Sequence, residues 1–138
     1  MSWRVIAVGA LAALAGCLLA VGVAAHTTHS SSALQLNVYT SGSVSNYVWG
    51  VVSSPNPRCV AGRRVRVYRK APGPDPEFGS DISLESPSGN GPYTVTAPTG
   101  DLPEGLYYSQ LRKRDLRPGR RHAHICKGAR SNEQVVGP

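Results

Sequence analysis

The chain has 138 residues, a formal net charge of +7 and a hydrophobic fraction of 41 %. That length fits one domain and leaves no room for several. The apolar share suffices for a core, although the N-terminus inflates it. The charge bears on solubility and on encounters with anionic surfaces, and decides nothing about the fold.

Residues 5–25, "VIAVGALAALAGCLLAVGVAA", carry no charge, follow Arg4 and close on small residues. A short positive region, an apolar stretch and a small-residue cleavage site describe a secretory signal peptide cut after Ala25. Two rivals use the same residues. The run is long enough to span a bilayer, where about 20 residues are needed, so an uncleaved membrane anchor is the second reading. "LAGC" at 14–17 resembles a bacterial lipobox with Cys17 as the acylated residue, which is the third. All three export residues 26–138, as a secreted chain or a tethered one. A cleaved signal leaves no transmembrane segment.

The three cysteines are Cys17, Cys59 and Cys126. Loss of the signal leaves two, and an even count in a small exported domain predicts a Cys59–Cys126 disulfide. In the chain-entropy description so long a loop contributes about 4 kcal/mol. Cleavage also removes Arg4, taking the charge from +7 to +6.

"HTTHSSS", 26–32, reads as a flexible leader to a single domain over 33–138. The full sequence holds eleven Pro and fifteen Gly, which break the chain throughout and leave no space for long helices. In "ALQLNVY" (33–39), Leu34, Leu36 and Val38 share a face. In "VSNYVWGVVSS" (44–54), Tyr47, Trp49 and Val51 do. "RRVRVYRK" (63–70) sets Val65 and Val67 against Arg64, Arg66 and Tyr68. "FGSDISLES" (78–86) is a weaker strand. "PSGNGP" (87–92) is turn chemistry, and "YTVTA" (93–97) puts Tyr93, Val95 and Ala97 together. "LYYSQLRKR" (106–114) is a strand with a basic end, "RPGRR" a loop, and "HAHICKGARSNEQVV" one or two closing strands, the last around 133–136. About seven short strands with turns between them predict an all-β, antiparallel two-sheet sandwich. Trp49, Val65, Val67, Tyr93, Val95, Tyr107 and Leu111 are the expected core.

From Pro57 onward the order "RCVAGRRVRVYR", "FGSDISLESPSGNGPYTVTAP", "LPEGLYYSQLRK", "ICKGARS" resembles exported transthyretin-like, carboxypeptidase-regulatory-like β-sandwich domains. Those carry a G-x-x-V-x-V strand, a G-S-D strand, an N-G-x-[YW]-x-V turn and strand, and a P-x-G-x-Y-Y turn and strand. A secreted bacterial subset pairs a Cys before the first strand with C-K-x-A-R-S near the end, matching Cys59 and Cys126–Ser131. The resemblance implies a non-catalytic structural, adhesive or interaction module. Pro87, Pro92 and the basic insertion "RKRDLRPGRRH" depart from the pattern.

The four histidines, His26, His29, His122 and His124, sit in no nucleophile–base motif, and no G-x-S-x-G occurs. The acids fall in turns or on strand surfaces, without loops large enough for a two-carboxylate cleft. The expectation is a non-enzyme without a cofactor. His122, His124 and Cys126 would share a strand face and could hold zinc or copper. With Cys126 in a disulfide no metal site is expected, and the strand should begin nearer Ile125. As a mature N-terminus His26 would present an α-amine and an imidazole together, as copper-brace proteins do. The "TTHSSS" that follows shares nothing else with them, so His26 reads as an incidental leader residue.

The basic residues form two clusters, Arg63–Lys70 and Arg112–Arg121. If they meet, Arg64, Arg66, Lys70, Arg112, Arg114, Arg117, Arg120 and Arg121 make a patch for an acidic polysaccharide or phosphate polymer. The competing expectation is an edge face charged against aggregation. Export argues against intracellular nucleic acid as a partner.

Overall fold

The computed structural model describes residues 26–41 and 44–138. The signal, anchor and lipobox readings of residues 5–25 fall outside them. Among the described residues no helix is long and apolar enough to cross a membrane. The described chain is all-β, with eleven strands, no α-helix and one short 3-10 turn, Pro57–Cys59.

The strands form three sheets. In the first, β2 (Ala33–Ser41), β3 (Val44–Ser53) and β6 (Gly91–Thr96) pair antiparallel with β3 in the centre. The second has the order β10 (Ala129–Arg130), β7 (Gly105–Leu111), β4 (Arg64–Arg69), β5 (Glu77–Ile82), with β11 (Gln134–Val136) also on β7. In the third, β9 (His122–Cys126) lies between β1 (His26–Ser30), parallel to it, and β8 (Arg114–Asp115), antiparallel.

Period-two alternation builds the core from the first two sheets. Leu34, Leu36, Val48, Val52, Tyr93 and Val95 come from one; Val65, Val67, Tyr107, Leu111 and Val136 come from the other. Cross-strand rows organise each face: Leu36–Gly50–Tyr93 and Val38–Val48–Val95 in the first, and Val65–Leu111 in the second. Side chains close both seams between these sheets. On one side Asp81 Oδ2 accepts from the backbone N–H of Thr94 at 2.7 Å, tying β5 to β6. On the other, Asn132 Oδ1 accepts from Leu36 N and its Nδ2 donates to Leu36 O, both at 3.0 Å. Asn132 thereby supplies β2 with the donor and acceptor of a missing strand.

Three expectations change. Trp49 is not core: it is 41 % exposed, and β3 buries Val48, Gly50 and Val52 instead. The strand's sequence permits either alternation, and a one-residue slip inverts the faces. Tyr93 decides it. A Cβ at Gly50 would overlap Gln35 O and come within 2.6 Å of Tyr93 Oη, so only glycine lets the tyrosine cross. Residues 26–30 are a strand rather than a flexible leader, because β9 offers an open edge and β1 fills it from Ser30↔Cys126 to His26↔His122. The strand β9 begins at His122, not near Ile125. The count therefore rises from about seven to eleven.

Candidate anion-binding surface

The stretch from Arg58 to Lys70 supplies much of the surface and much of what holds it. Asn56 Oδ1 accepts from Arg58 N at 3.1 Å and starts the 3-10 turn. That turn presents Cys59, which is bonded to Cys126 with Cα atoms 5.4 Å apart. Gly62 follows at φ +68°, a left-handed conformation that suits glycine.

Arg63 is not part of a surface cluster. It is only 2 % exposed, and its guanidinium is satisfied by backbone carbonyls rather than by a carboxylate. Nη1 donates to Cys59 O at 2.9 Å and Ser32 Oγ at 3.3 Å. Nη2 donates to Arg112 O at 2.7 Å and Lys127 O at 3.2 Å. Burial, and then Arg114 nearby, pull its pKa below the usual arginine value. One side chain thus ties the disulfide turn, the end of β7 and the segments next to β1 and β9. Its backbone is held too, by Ser83 Oγ and Ser83 N at 2.9 Å each.

Arg64, Arg66 and Lys70 face outward but are already engaged. Arg64 donates to Ser80 Oγ at 3.4 Å, Arg66 pairs with Glu77 at 3.6 Å, and Lys70 pairs with Glu133 at 2.8 Å. Glu133 also takes Arg130 at 2.9 Å, and its carboxyl is held below the usual range, chiefly by the Lys70 hydrogen bond. Arg130 lies over the Tyr108 ring with Cζ 3.7 Å from the centroid. Tyr108 stacks on Tyr68 at 5.4 Å. The Tyr108 hydroxyl donates to Asp75 Oδ2 at 2.7 Å, which lowers the Asp75 pKa. Burial, followed by Asp75, raises that of Tyr108. This end of the sheet is an internally neutralised layer of arginine, tyrosine and carboxylate.

The second cluster divides. Leu111 pairs with Val65, which sets Arg112 at the end of β7 beside the start of β4. Arg114 Nη1 donates to Gly62 O at 3.0 Å. These two therefore join the β4 cluster. Arg117, Arg120 and Arg121 are exposed in the turn between β8 and β9, where Asp115 Oδ1 accepts from Arg117 N at 2.9 Å. With Leu116, Pro118 and His122 they line an open cavity of about 670 Å³. Among the described residues no ion pair involves the side chains of Arg112, Arg117, Arg120 or Arg121. Within the predicted patch, among the described residues, only Arg66 and Lys70 are paired with carboxylates; Arg64, Arg112 and Arg114 beside the start of β4 carry no ion pair either, and Arg117, Arg120 and Arg121 form a separate exposed group at the β8–β9 turn.

Sequence reasoning set Tyr68 and Tyr108 near the basic clusters but missed Arg63, Arg130 and Asp75 as interacting groups. Alternation marked Arg63 only as one more basic residue, and the proline-rich 71–76 segment gave no sign that Asp75 folds back onto β7. The motif "ICKGARSN" turns out to be occupied end to end. Lys127 N donates to Ser30 O, Ser131 Oγ accepts from Ser109 N at 2.8 Å, and a Cβ on Gly128 would sit 2.6 Å from Leu111 O. Among the described residues no group of three or more His, Cys, Asp or Glu side chains is placed to hold a metal ion. Neither a family model nor a curated protein sequence matches the chain.

Proposed function

We propose that the chain is an exported, non-enzymatic β-sandwich module with a structural or interaction role at the cell exterior, similar to the transthyretin-like domains it resembles. The observation that carries this is the Cys59–Cys126 bond at the Arg63 junction. A disulfide at the point where three sheets meet suits an oxidising compartment. The two core-forming sheets, closed along both seams by Asp81 and Asn132, support the sandwich. Fractionation of expressing cells tests the proposal: the protein is expected outside the cytoplasm with no free thiol. A reduced cytoplasmic chain would contradict it.

A second reading, binding of an anionic polymer, is favoured by one observation: the β8–β9 turn exposes Arg117, Arg120 and Arg121 around a cavity with no acidic side chain among its lining residues. Bidentate guanidinium forks suit phosphate and carboxylate. Retention on an acidic polysaccharide or polyphosphate column at physiological salt provides the test. Changing Arg117, Arg120 and Arg121 to Gln should abolish retention and flatten its salt dependence. Changing Arg66 and Lys70 to Gln should do much less, because their charges are paired with Glu77 and Glu133. Equal losses from both sets, or none, would discard the loop as the binding element.

A further inference from the structure

The outer face of the β2–β3–β6 sheet is unlike the rest of the surface. The chain holds 15 Lys and Arg, yet these three strands contain no charged residue and no histidine. Alternation turns Asn37, Tyr39, Tyr47, Trp49, Thr94 and Thr96 away from the core. The register sets them in two cross-strand rows, Asn37–Trp49–Thr94 and Tyr39–Tyr47–Thr96. Trp49 is 41 % exposed and Tyr39 45 %. Tyr39 and Tyr47 stack on each other, with centroids 4.9 Å apart and planes 21° apart. Trp49 has no such partner: among the described residues no ring stacks on its indole. Nor does any hydrogen bond among them engage the side chains of Trp49, Asn37, Thr94 or Thr96. Asp81, at the β6 edge, is committed to backbone: Oδ2 accepts from Thr94 N and Oδ1 from Ile82 N.

We propose that this face binds a neutral polysaccharide, with Trp49 as the stacking platform and Asn37 and Thr94 as the hydrogen-bonding groups on either side of it. The proposal rests on the exterior interaction role given above and names a partner for it. An exposed indole offers an apolar face to the C–H groups of a sugar ring and an N–H to a hydroxyl. The free amide of Asn37 and hydroxyl of Thr94 supply donors and acceptors for the remaining hydroxyls. Directly opposed residues have Cβ atoms about 4.5–5.5 Å apart, so one sugar ring can meet all three groups. Tyr47 lies about 7 Å from Trp49 along β3, so a longer glycan reaches the tyrosine pair as well. The missing charge selects this occupant over others. A stacked nucleic acid brings phosphates, which call for a basic groove. A protein interface gathers arginine along with tryptophan and tyrosine. A bilayer surface calls for a continuous apolar face with a basic margin, and here Asn37 and Thr94 interrupt the rings.

The test is affinity electrophoresis of the protein through gels containing amylose, xylan or hydroxyethyl cellulose. The expected result is retardation by at least one of them that persists from about 0.1 to 1 M salt, because no charge takes part. Trp49→Ala should weaken the affinity roughly tenfold or more, and Asn37→Ala should weaken it less. Val135→Ala, which removes an exposed apolar side chain elsewhere, should run as the parent does. Trp49 lies outside the core, so its substitution should leave the fold intact, and an unchanged unfolding midpoint would verify that. Retardation by none of the three polymers, or equal retardation of the parent and Trp49→Ala, overturns the proposal. Retardation that high salt abolishes also overturns it, by moving the ligand to the arginines. So does self-association that Trp49→Ala abolishes, which would make the face an interface between copies. All four outcomes leave export standing, since fractionation decides it separately. A cytoplasmic chain would overturn export and leave the gel result untouched.

Discussion

At the scale of single residues, Arg63 and Tyr93 carry the most weight. A buried guanidinium held by three carbonyls and a hydroxyl stabilises only while every acceptor is met, since each orphaned buried polar group costs about 1–3 kcal/mol. Arg63→Met fills similar space but abandons those acceptors, and urea unfolding should show a loss of about 3 kcal/mol or more. Arg63→Lys should fall between, because one ammonium cannot reproduce the planar fork. Tyr93 makes a different prediction. Its hydroxyl donates to Gln35 O and shares a hydrogen bond with Ser109 Oγ, both at 2.8 Å, and burial pushes its pKa up to about 12. The folded state thus holds this proton more tightly than the unfolded state, whose tyrosine titrates near 10. Its contribution is complete below pH about 10 and disappears as pH rises from about 10 to about 12, by roughly 2 to 3 kcal/mol. Unfolding midpoints measured across that range should fall steeply in the parent and less steeply in Tyr93→Phe. A residual slope should remain, because Tyr107 and Tyr108 are raised as well.

At the scale of elements, the alternating runs were legible wherever one face was plainly apolar. Val65 and Val67 in β4, Tyr93 and Val95 in β6, and Leu34 and Leu36 in β2 are buried as their spacing predicts. The spacing misled in β3, where both faces carry large apolar side chains and the choice depends on a tyrosine more than forty positions away. Elements defined by pairing rather than pattern were invisible: β1 is polar throughout, and β8 and β10 are two residues long. The seam residues share this property. Asn132 looks like an ordinary loop asparagine until Leu36 lies beside it. Asn132→Ala should cost about 1–2 kcal/mol by leaving Leu36 unsatisfied at the edge of β2. Reduction of Cys59–Cys126 should cost more, about 4 kcal/mol, since it releases a sequence separation of 67 residues. Denaturant curves with and without reductant would measure the difference.

At the scale of the whole molecule, the net charge of +7 misrepresents how charge is distributed. Among the described arginines, Arg63 is buried and structural, Arg66 and Arg130 pair with Glu77 and Glu133, and Arg117, Arg120 and Arg121 form an exposed set at the β8–β9 turn. The basic stretch at 63–70, the strongest positive feature in the sequence, is mainly devoted to the fold. Alternation assigned Val65 and Val67 correctly. It could not show that Arg63 is interior or that Lys70 is neutralised, because both facts depend in part on segments 49 or more positions distant. The candidate surface was therefore legible as a list of residues and not as a site.

The proposal that this disulfide-stapled domain is exported is tested most directly by one intact-mass measurement on the protein recovered from outside the cytoplasm. The mass should equal residues 26–138 less two hydrogens, showing both the His26 terminus and the closed Cys59–Cys126 bond. A mass that retains residues 1–25, or two cysteines that react with a thiol reagent without prior reduction, would contradict it.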